Sequence, residues 1–129
     1  MATLTAACTL SGSGLTSSTL SITKNPAIEI LGDVEIKRVT LSTTTTKLLE
    51  ADDWNNSGSY VWLHNTEATG GATITIGEDA GAGASVDQVW MALLPGEWAM
   101  FPWDTTIDLF ADASGACKIE VGMFERAAS

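Results

Sequence analysis

The chain has 129 residues, 45% of them hydrophobic, and a formal net charge of −10 from 16 acidic and six basic side chains. This composition suits one domain with a hydrophobic core, and the negative charge without a basic patch argues against nucleic-acid binding, because phosphates would be repelled. No apolar run approaches about 18 residues and no secretory signal opens the sequence, so we expect a protein made in a cytoplasm without a membrane anchor.

The N-terminal segment is rich in Thr, Ser, Ala, Leu and Gly and carries no charge before Lys24. Residues 3–10 and 15–22 each predict a short strand, separated by a flexible Ser/Gly break. Two interpretations stay open for residues 1–24. They are either the first strands of the domain or an arm that becomes ordered against a neighbouring subunit. Residues 25–129 are predicted to form a single β-sandwich domain.

Alternating apolar and polar residues predict the next strands. Residues 27–31 alternate with period two, and Gly32-Asp33 after them predicts a turn. Residues 34–41 predict a further strand whose alternation slips at Lys37-Arg38, which indicates a bulge or a change of the exposed face. Residues 59–65 and 72–77 form two further alternating runs. The polar connection between these two runs predicts that they pair as an antiparallel hairpin.

The stretch from Trp90 to Asp104 contains the strongest turn signal of the chain. Proline presets φ at the first central position of a turn and glycine accepts positive φ at the second, so Pro95-Gly96 predicts a type II turn. We expect a hairpin between residues 89–94 and 98–101 that closes the core.

Residues 107–112 and 116–125 predict the last two strands, and no segment shows helical periodicity over ten or more residues. About eight to ten short strands with turn signals between them predict an all-β fold. The expected architecture is an antiparallel β-sandwich, jelly-roll-like in its connections.

Metal and cofactor sites are not expected. Cys8 and Cys117 form no CxxC pair, which argues against zinc and leaves their redox state open. The carboxylates of two loops are compatible with a calcium site, although ordinary solvated loops are favoured; they are Glu50, Asp52 and Asp53 in one loop and Glu78 and Asp79 in the other.

Enzyme activity is not expected either. His64 is the one histidine, and no GxSxG motif or second ligand stands at a useful spacing from it. An interface or structural role for this side chain is therefore favoured over a catalytic one.

Aromatic side chains are the best candidates for binding. Tyr60, Trp62 and His64 share one face of a predicted strand, while Trp54 and Trp103 lie nearest to loops. Trp103, directly after Pro102, is expected to be the most free to reach a partner. Aromatic residues of this kind form protein-interface hot spots or stack on sugar rings.

The second half of the chain contains a series of short motifs: Tyr60–Asn65, Ile74–Gly77, Leu94–Pro102, Leu109–Ala113 and Ile119–Glu125. Over residues 58–125 this series resembles small structural proteins of tailed bacteriophages. It implies a β-sandwich virion component, either a capsid decoration or cement protein or a head–tail or tail component. No residue roles follow from it, since such proteins work through surfaces.

The leading hypothesis is therefore a virion structural protein that binds and stabilises the major capsid shell as a homo-oligomer, with a trimer as one candidate form. Its expected partners are the major capsid protein or other virion proteins and further copies of itself. The alternative is a carbohydrate-binding or receptor-binding module of a phage tail or head fibre.

Overall fold

The computed structural model describes residues 2–5, 7–12, 20–24, 27–51, 59–79, 86–103 and 107–126. Within these residues the chain forms eleven strands. They are β1 (Ala2–Thr5), β2 (Cys8–Gly12), β3 (Leu20–Lys24), β4 (Ala27–Leu41), β5 (Thr46–Leu49), β6 (Ser59–Asn65), β7 (Ile74–Glu78), β8 (Gln88–Leu93), β9 (Trp98–Trp103), β10 (Leu109–Ala113) and β11 (Cys117–Arg126). Among the described residues, no helix is long and apolar enough to cross a membrane.

Strands β4 to β11 form the sandwich. The first sheet has the order β1-β4-β11-β6-β9 and the second has the order β5-β10-β7-β8. Antiparallel partners are nested along the chain, as β4 pairs with β11, β5 with β10, β6 with β9 and β7 with β8. The chain thus behaves as one long ribbon, with the β7–β8 hairpin at its tip, rolled into two layers. This is the jelly-roll arrangement, and it confirms the predicted all-β, antiparallel β-sandwich class.

The core lies between the two sheets because alternate residues of each strand point inward. Along β6 the side chains of Val61 and Leu63 are fully buried while their neighbours are half-buried. The last strand, β11, buries Ile119, Val121 and Met123 from the same sheet. The opposing sheet contributes Leu48, Leu49, Ile74, Ile76, Leu93, Leu109 and Ala111.

The predicted hairpin within Trp90–Asp104 is wrong in its pairing. Strand β8 belongs to the second sheet and β9 to the first, so Pro95-Gly96 carries the chain from one sheet to the other. The turn itself has the expected type II geometry, since Gly96 has a φ of 85° and the Glu97 N–H donates to the Leu94 carbonyl oxygen at 2.9 Å. Turn chemistry predicts a reversal of direction, but it does not predict which strands pair.

Two other predicted connections also differ in the structure. Strands β6 and β7 do not form a hairpin, because β6 pairs with β11 and β9 while β7 pairs with β10 and β8. Gly32-Asp33 forms no turn, because β4 continues through it beside β11, from Leu41 opposite Cys117 to Ile30 opposite Arg126. The ladder is irregular there, since the register shifts between Phe124, opposite Val34, and Arg126, opposite Ile30. Gly32-Asp33 therefore lies at a bulge within one strand and not at a turn between two.

The N-terminal segment contains three of the strands. Strand β1 pairs with the first residues of β4, from Ala2 opposite Ile30 to Thr5 opposite Ala27. Strands β2 and β3 pair with each other in a separate two-stranded sheet. The interpretation of residues 1–24 as an arm on a neighbouring subunit stays a prediction.

One buried polar side chain joins two of the crossings between the sheets, from β6 to β7 and from β8 to β9. Asn65 is fully buried at the end of β6, and its Nδ2 donates to the carbonyl oxygens of Ala72 and Leu93, both at 2.9 Å. Its Oδ1 accepts the Glu67 N–H at 3.1 Å. The Asn65 main chain exchanges hydrogen bonds with the Pro95-Gly96 turn, accepting the Gly96 N–H and donating to the Glu97 carbonyl oxygen.

A smaller charged network fastens the opposite end of the second sheet. Asp108 accepts the Ala51 N–H through Oδ1 at 2.7 Å, and its Oδ2 lies 3.1 Å from Lys47 Nζ. Lys47 Nζ also lies 2.7 Å from Glu50 Oε2. The hydrogen bond from Ala51, reinforced by Lys47, holds the pKa of Asp108 below its usual value against the opposing effect of desolvation.

We predict that Asn65→Ala loses about 3 kcal/mol or more of unfolding free energy, because two carbonyls and one N–H would be left unpaired at about 1–3 kcal/mol for each buried group. Urea unfolding measures the loss. Asn65→Asp should also destabilise, since it places an oxygen against both carbonyls. Thr66→Ala is the matched control and should cost about 1 kcal/mol or less, because its hydrogen bond to the Lys118 carbonyl is exposed. A loss for Asn65→Ala no larger than the control would contradict this assignment.

The Asp108 network predicts a pH dependence of stability. A carboxyl whose pKa is depressed in the folded state contributes stability above its unfolded value, and this contribution disappears as the pH falls through the folded pKa. We therefore expect Asp108→Asn to be less stable than the wild type at pH 7. The difference in unfolding free energy between this variant and the wild type should become smaller at acid pH. Urea unfolding at a series of pH values measures it. A constant difference across that range would show that the charge of Asp108 is not involved.

Candidate functional site: the outer face of the five-stranded sheet

Strand register places outward-pointing side chains of the first sheet in three rows across β4, β11, β6 and β9. Partners in an antiparallel ladder share a face, so the rows can be read from the pairing. They are Arg38, Glu120, His64 and Trp98; Ile36, Gly122, Trp62 and Met100; and Val34, Phe124, Tyr60 and Pro102. We call this surface the outer face.

The outer face exposes large apolar side chains. Ile36 is 64% exposed, Trp98 is 54% exposed and Val34 is 47% exposed, while Met100 and Phe124 are half-buried beside them. Contiguous exposed apolar patches on a folded protein mark binding surfaces more often than chance contacts.

The corresponding face of the second sheet has a different character. There Thr75 lies between Ala92 and Asp112 across three strands, and the Phe110 ring lies under Lys47 Nζ at 5.6 Å. These groups are smaller or more polar than those of the outer face. Exposed large apolar side chains of the second sheet lie on its edge strand β8, where Val89 is 60% and Trp90 is 40% exposed. The outer face differs because its apolar side chains extend across all four of its strands.

An aromatic and polar cluster stands at the centre of the outer face. The Trp62 and Trp98 rings stack with centroids 5.1 Å apart at 26°, and Trp62 Nε1 donates to Glu120 Oε1 at 2.9 Å. His64 Nδ1 lies 3.8 Å from the same carboxylate oxygen, and its ring lies 5.9 Å from Trp62. These contacts hold the indole of Trp62 in one orientation and support the more exposed ring of Trp98.

Gly122 makes the position of Trp62 possible. A Cβ at residue 122 would lie 3.1 Å from Trp62 Cβ and 3.3 Å from Phe124 Cε2, both tighter than ordinary contact. The missing side chain lets Trp62 lie over β11 and reach Glu120. The cluster thus forms a fixed surface with an aromatic plane and hydrogen-bonding groups at its edge, which suits binding.

A groove continues the outer face past its first row. It has a volume of about 560 Å³ and is lined by Arg38, Thr40, Thr66, Glu67, Ala116, Cys117 and Lys118. Among the described residues, neither Arg38 nor Lys118 forms an ion pair with a carboxylate. Burial, and to a lesser degree Glu67, raises the pKa of the Cys117 thiol, so this cysteine is held in its unreactive protonated form.

Three of the predicted interface residues, Tyr60, Trp62 and His64, do lie together on the outer face. Sequence reasoning missed Trp98, which lies beside His64 in the ladder. Its exposure follows from the register of β9, a signal that alternation along one strand does not contain.

Trp103 was predicted to be free for a partner, and this is wrong. It is only 3% exposed in the core, and its Nε1 donates to the Ile107 carbonyl oxygen at 2.9 Å. The reason is strand parity: Pro102 points outward, so Trp103 must point inward. Trp54 lies outside the described residues.

The suggested calcium loops find no counterpart in the part of the chain that the structure describes, where no group of three or more His, Cys, Asp or Glu side chains is placed to hold a metal ion. Asp52 and Asp53 lie outside the described residues. Glu50 instead pairs with Lys47.

Comparisons with known proteins add little. No family model and no curated protein matches the chain. A solved structure described as "Bacillus endospore appendages form a novel family of disulfide-linked pili" is similar over 86% of this chain and 100% of that chain, with 13% sequence identity and a TM-score of 0.48. A likeness of this size supports no conclusion about activity or partners.

The exposed position of Trp98 and the buried position of Trp103 predict different losses of unfolding free energy when each is replaced by alanine. Trp103→Ala should lose about 3–5 kcal/mol of unfolding free energy, because a buried ring is removed from the core. Trp98→Ala should lose about 1 kcal/mol, the scale of one aromatic pair. Urea unfolding with circular dichroism detection compares the two variants. Similar losses for both would contradict the inward position of Trp103.

Proposed function

We propose that the chain is a non-enzymatic structural protein of a virion, made in the host cytoplasm and assembled into the particle as a capsid decoration or cement protein. In this role it binds the major capsid protein and associates with further copies of itself. The observation that carries the proposal is the outer face, where exposed apolar side chains of β4 and β9 and half-buried aromatic side chains of β6 and β11 form one surface. The motif resemblance to phage structural proteins points in the same direction.

The size of the outer face supports a role that depends on many copies. Four strands about 4.8 Å apart and three rows about 6.8 Å apart cover about 400 Å². A stable interface between two proteins buries about 800 Å² on each partner, so a single outer face gives a weak contact. A homo-oligomer on a capsid shell binds several sites at once. This avidity increases the overall affinity, although each single contact stays weak.

The charge of the chain is compatible with the same role. A net charge of −10 keeps unassembled copies soluble and keeps them away from packaged nucleic acid. Glu120 is the one carboxylate in the three rows of the outer face, and it accepts a hydrogen bond from Trp62 Nε1, so little of this charge has to be desolvated when the outer face is covered.

One observation favours a second candidate, a carbohydrate-binding module of a tail or head fibre. The half-exposed ring of Trp98 is a flat platform, and the Glu120 carboxylate and His64 imidazole stand near its edge. Stacking of a sugar ring with hydrogen bonds to its hydroxyls needs these elements. Both functions would use the same surface.

Capsid binding can be tested by co-sedimentation with shells of the major capsid protein encoded with this chain. We expect Ile36→Asp and Trp98→Ala each to weaken binding about tenfold or more, since each removes apolar area at the centre of a contact. Trp90→Ala is the matched control, because Trp90 is 40% exposed but lies on β8 in the other sheet. It should bind like the wild type.

Two outcomes would overturn the capsid function. One is a wild-type protein that does not sediment with the shells. The other is binding that Ile36→Asp and Trp98→Ala leave unchanged. Binding to a glycan array that is lost in Trp98→Ala and kept in Trp90→Ala, without any shell binding, would establish the second candidate instead.

A further inference from the structure

The two ends of the sandwich differ in charge. At one end, which we call the acidic end, β5 and β7 finish while β8 and β10 begin, as the pairs Leu109–Leu49 and Glu78–Gln88 show. Five carboxylates lie there among the described residues, those of Glu50, Glu78, Asp79, Asp87 and Asp108. Lys47 is the nearby cation, and it is already paired with two of them.

The groove at the rim of the outer face lies at the opposite end. Leu41 faces Cys117 there, and the Ala113 N–H donates to the Ser42 carbonyl oxygen, so both sheets reach this end together. Arg38 and Lys118 supply two of the six basic side chains of the whole sequence. Glu67 is the one carboxylate lining the groove, so the lining carries a net positive charge, while Glu97 and Glu120 lie outside the lining at the same end.

The different charges of the groove and the acidic end allow self-association into a symmetric assembly. A closed ring of three or more copies uses a heterologous contact, in which one surface of each copy meets a different surface of the next. Such assemblies need two unlike and complementary surfaces on one chain. A positive groove at one end and a carboxylate cluster at the other form such a pair.

We propose that the groove around Arg38 and Lys118 receives the acidic end of a second copy of this chain. The inference rests on the self-association in the proposed function and names the surfaces that produce it. Arginine binds carboxylates through two parallel hydrogen bonds, and the Thr40 and Thr66 side chains line the groove beside the cations. A volume of about 560 Å³ accommodates a few acidic side chains of a neighbouring copy.

A second copy fits this groove better than a basic partner would. The cations would repel a basic surface, whereas every copy carries its own supply of carboxylates at the far end. Copies with a charge of −10 repel one another at a distance, and a local contact between opposite charges offsets that repulsion. The contact should therefore weaken as salt screens it.

Charge reversal on each surface tests the contact. One variant carries Arg38→Glu with Lys118→Glu, and the other carries Glu78→Lys with Asp87→Lys; Asp108 is left intact because it fastens β10. Sedimentation equilibrium at low and high ionic strength measures the mass of each. We expect the wild type to assemble at low salt and to dissociate as salt is added, and each variant alone to stay monomeric. An equimolar mixture of the two variants should associate, because each then offers the surface that the other requires.

Circular dichroism melting confirms that both variants are folded before their masses are compared. A wild type that is monomeric at every salt concentration would overturn the inference, as would variants that keep the wild-type mass or a folded mixture that stays monomeric.

Shell binding reports on a different surface: Trp98→Ala should keep the wild-type mass while it loses binding to the shells. Failure of the charge-reversal test with shell binding intact would thus remove this inference and leave the capsid role standing.

Discussion

The side-chain amide of Asn65 holds together two neighbouring crossings between the sheets, the one from β6 to β7 and the one from β8 to β9. Its side-chain N–H groups donate to the carbonyl oxygen of Ala72, which follows the first of these crossings, and to that of Leu93, which precedes the second. Its main chain forms hydrogen bonds with the Pro95-Gly96 turn. A buried polar group must be fully hydrogen-bonded or it costs stability, so the partners of Asn65 allow only one arrangement of both crossings. The rolled ribbon depends on that arrangement, because β6, β7, β8 and β9 are the strands that it connects.

The roll in turn creates the outer face. Ile36, Trp62, Trp98 and Glu120 are distant in sequence, and they become neighbours because β4, β11, β6 and β9 lie side by side in one sheet. Rigid β-ladders hold these side chains, which suits a surface that must present a fixed shape to a partner. Gly122 is needed for this surface, because a side chain at this position would push Trp62 away from Glu120.

The sequence predicted the strands and their faces well, because period-two alternation follows directly from the backbone pleat. Tyr60, Trp62 and His64 were placed on one face in this way. Alternation does not indicate which sheet a strand joins. The predicted hairpins at the two crossings beside Asn65 are therefore wrong. Trp103 was misplaced because its inward direction depends on the register of β9, which is set by long-range pairing with β6 and not by Pro102 before it. Asn65 gave no signal of its own, since a strand-ending asparagine is equally typical of an exposed turn.

In the proposed function, two unlike surfaces would let a domain this small take part in an assembly. The outer face alone is about half the area of a standard interface, so it cannot hold one copy firmly on a partner. If copies are first joined through the groove and the acidic end, several outer faces become linked, and the loss of one contact no longer releases the protein. The groove adjoins the outer face along the row of Arg38 and Glu120, so a neighbouring copy seated there would stand beside the apolar rows without covering Trp98. In the proposed assembly, self-association and partner binding can then occur together, because Arg38 is the one side chain that belongs to both surfaces.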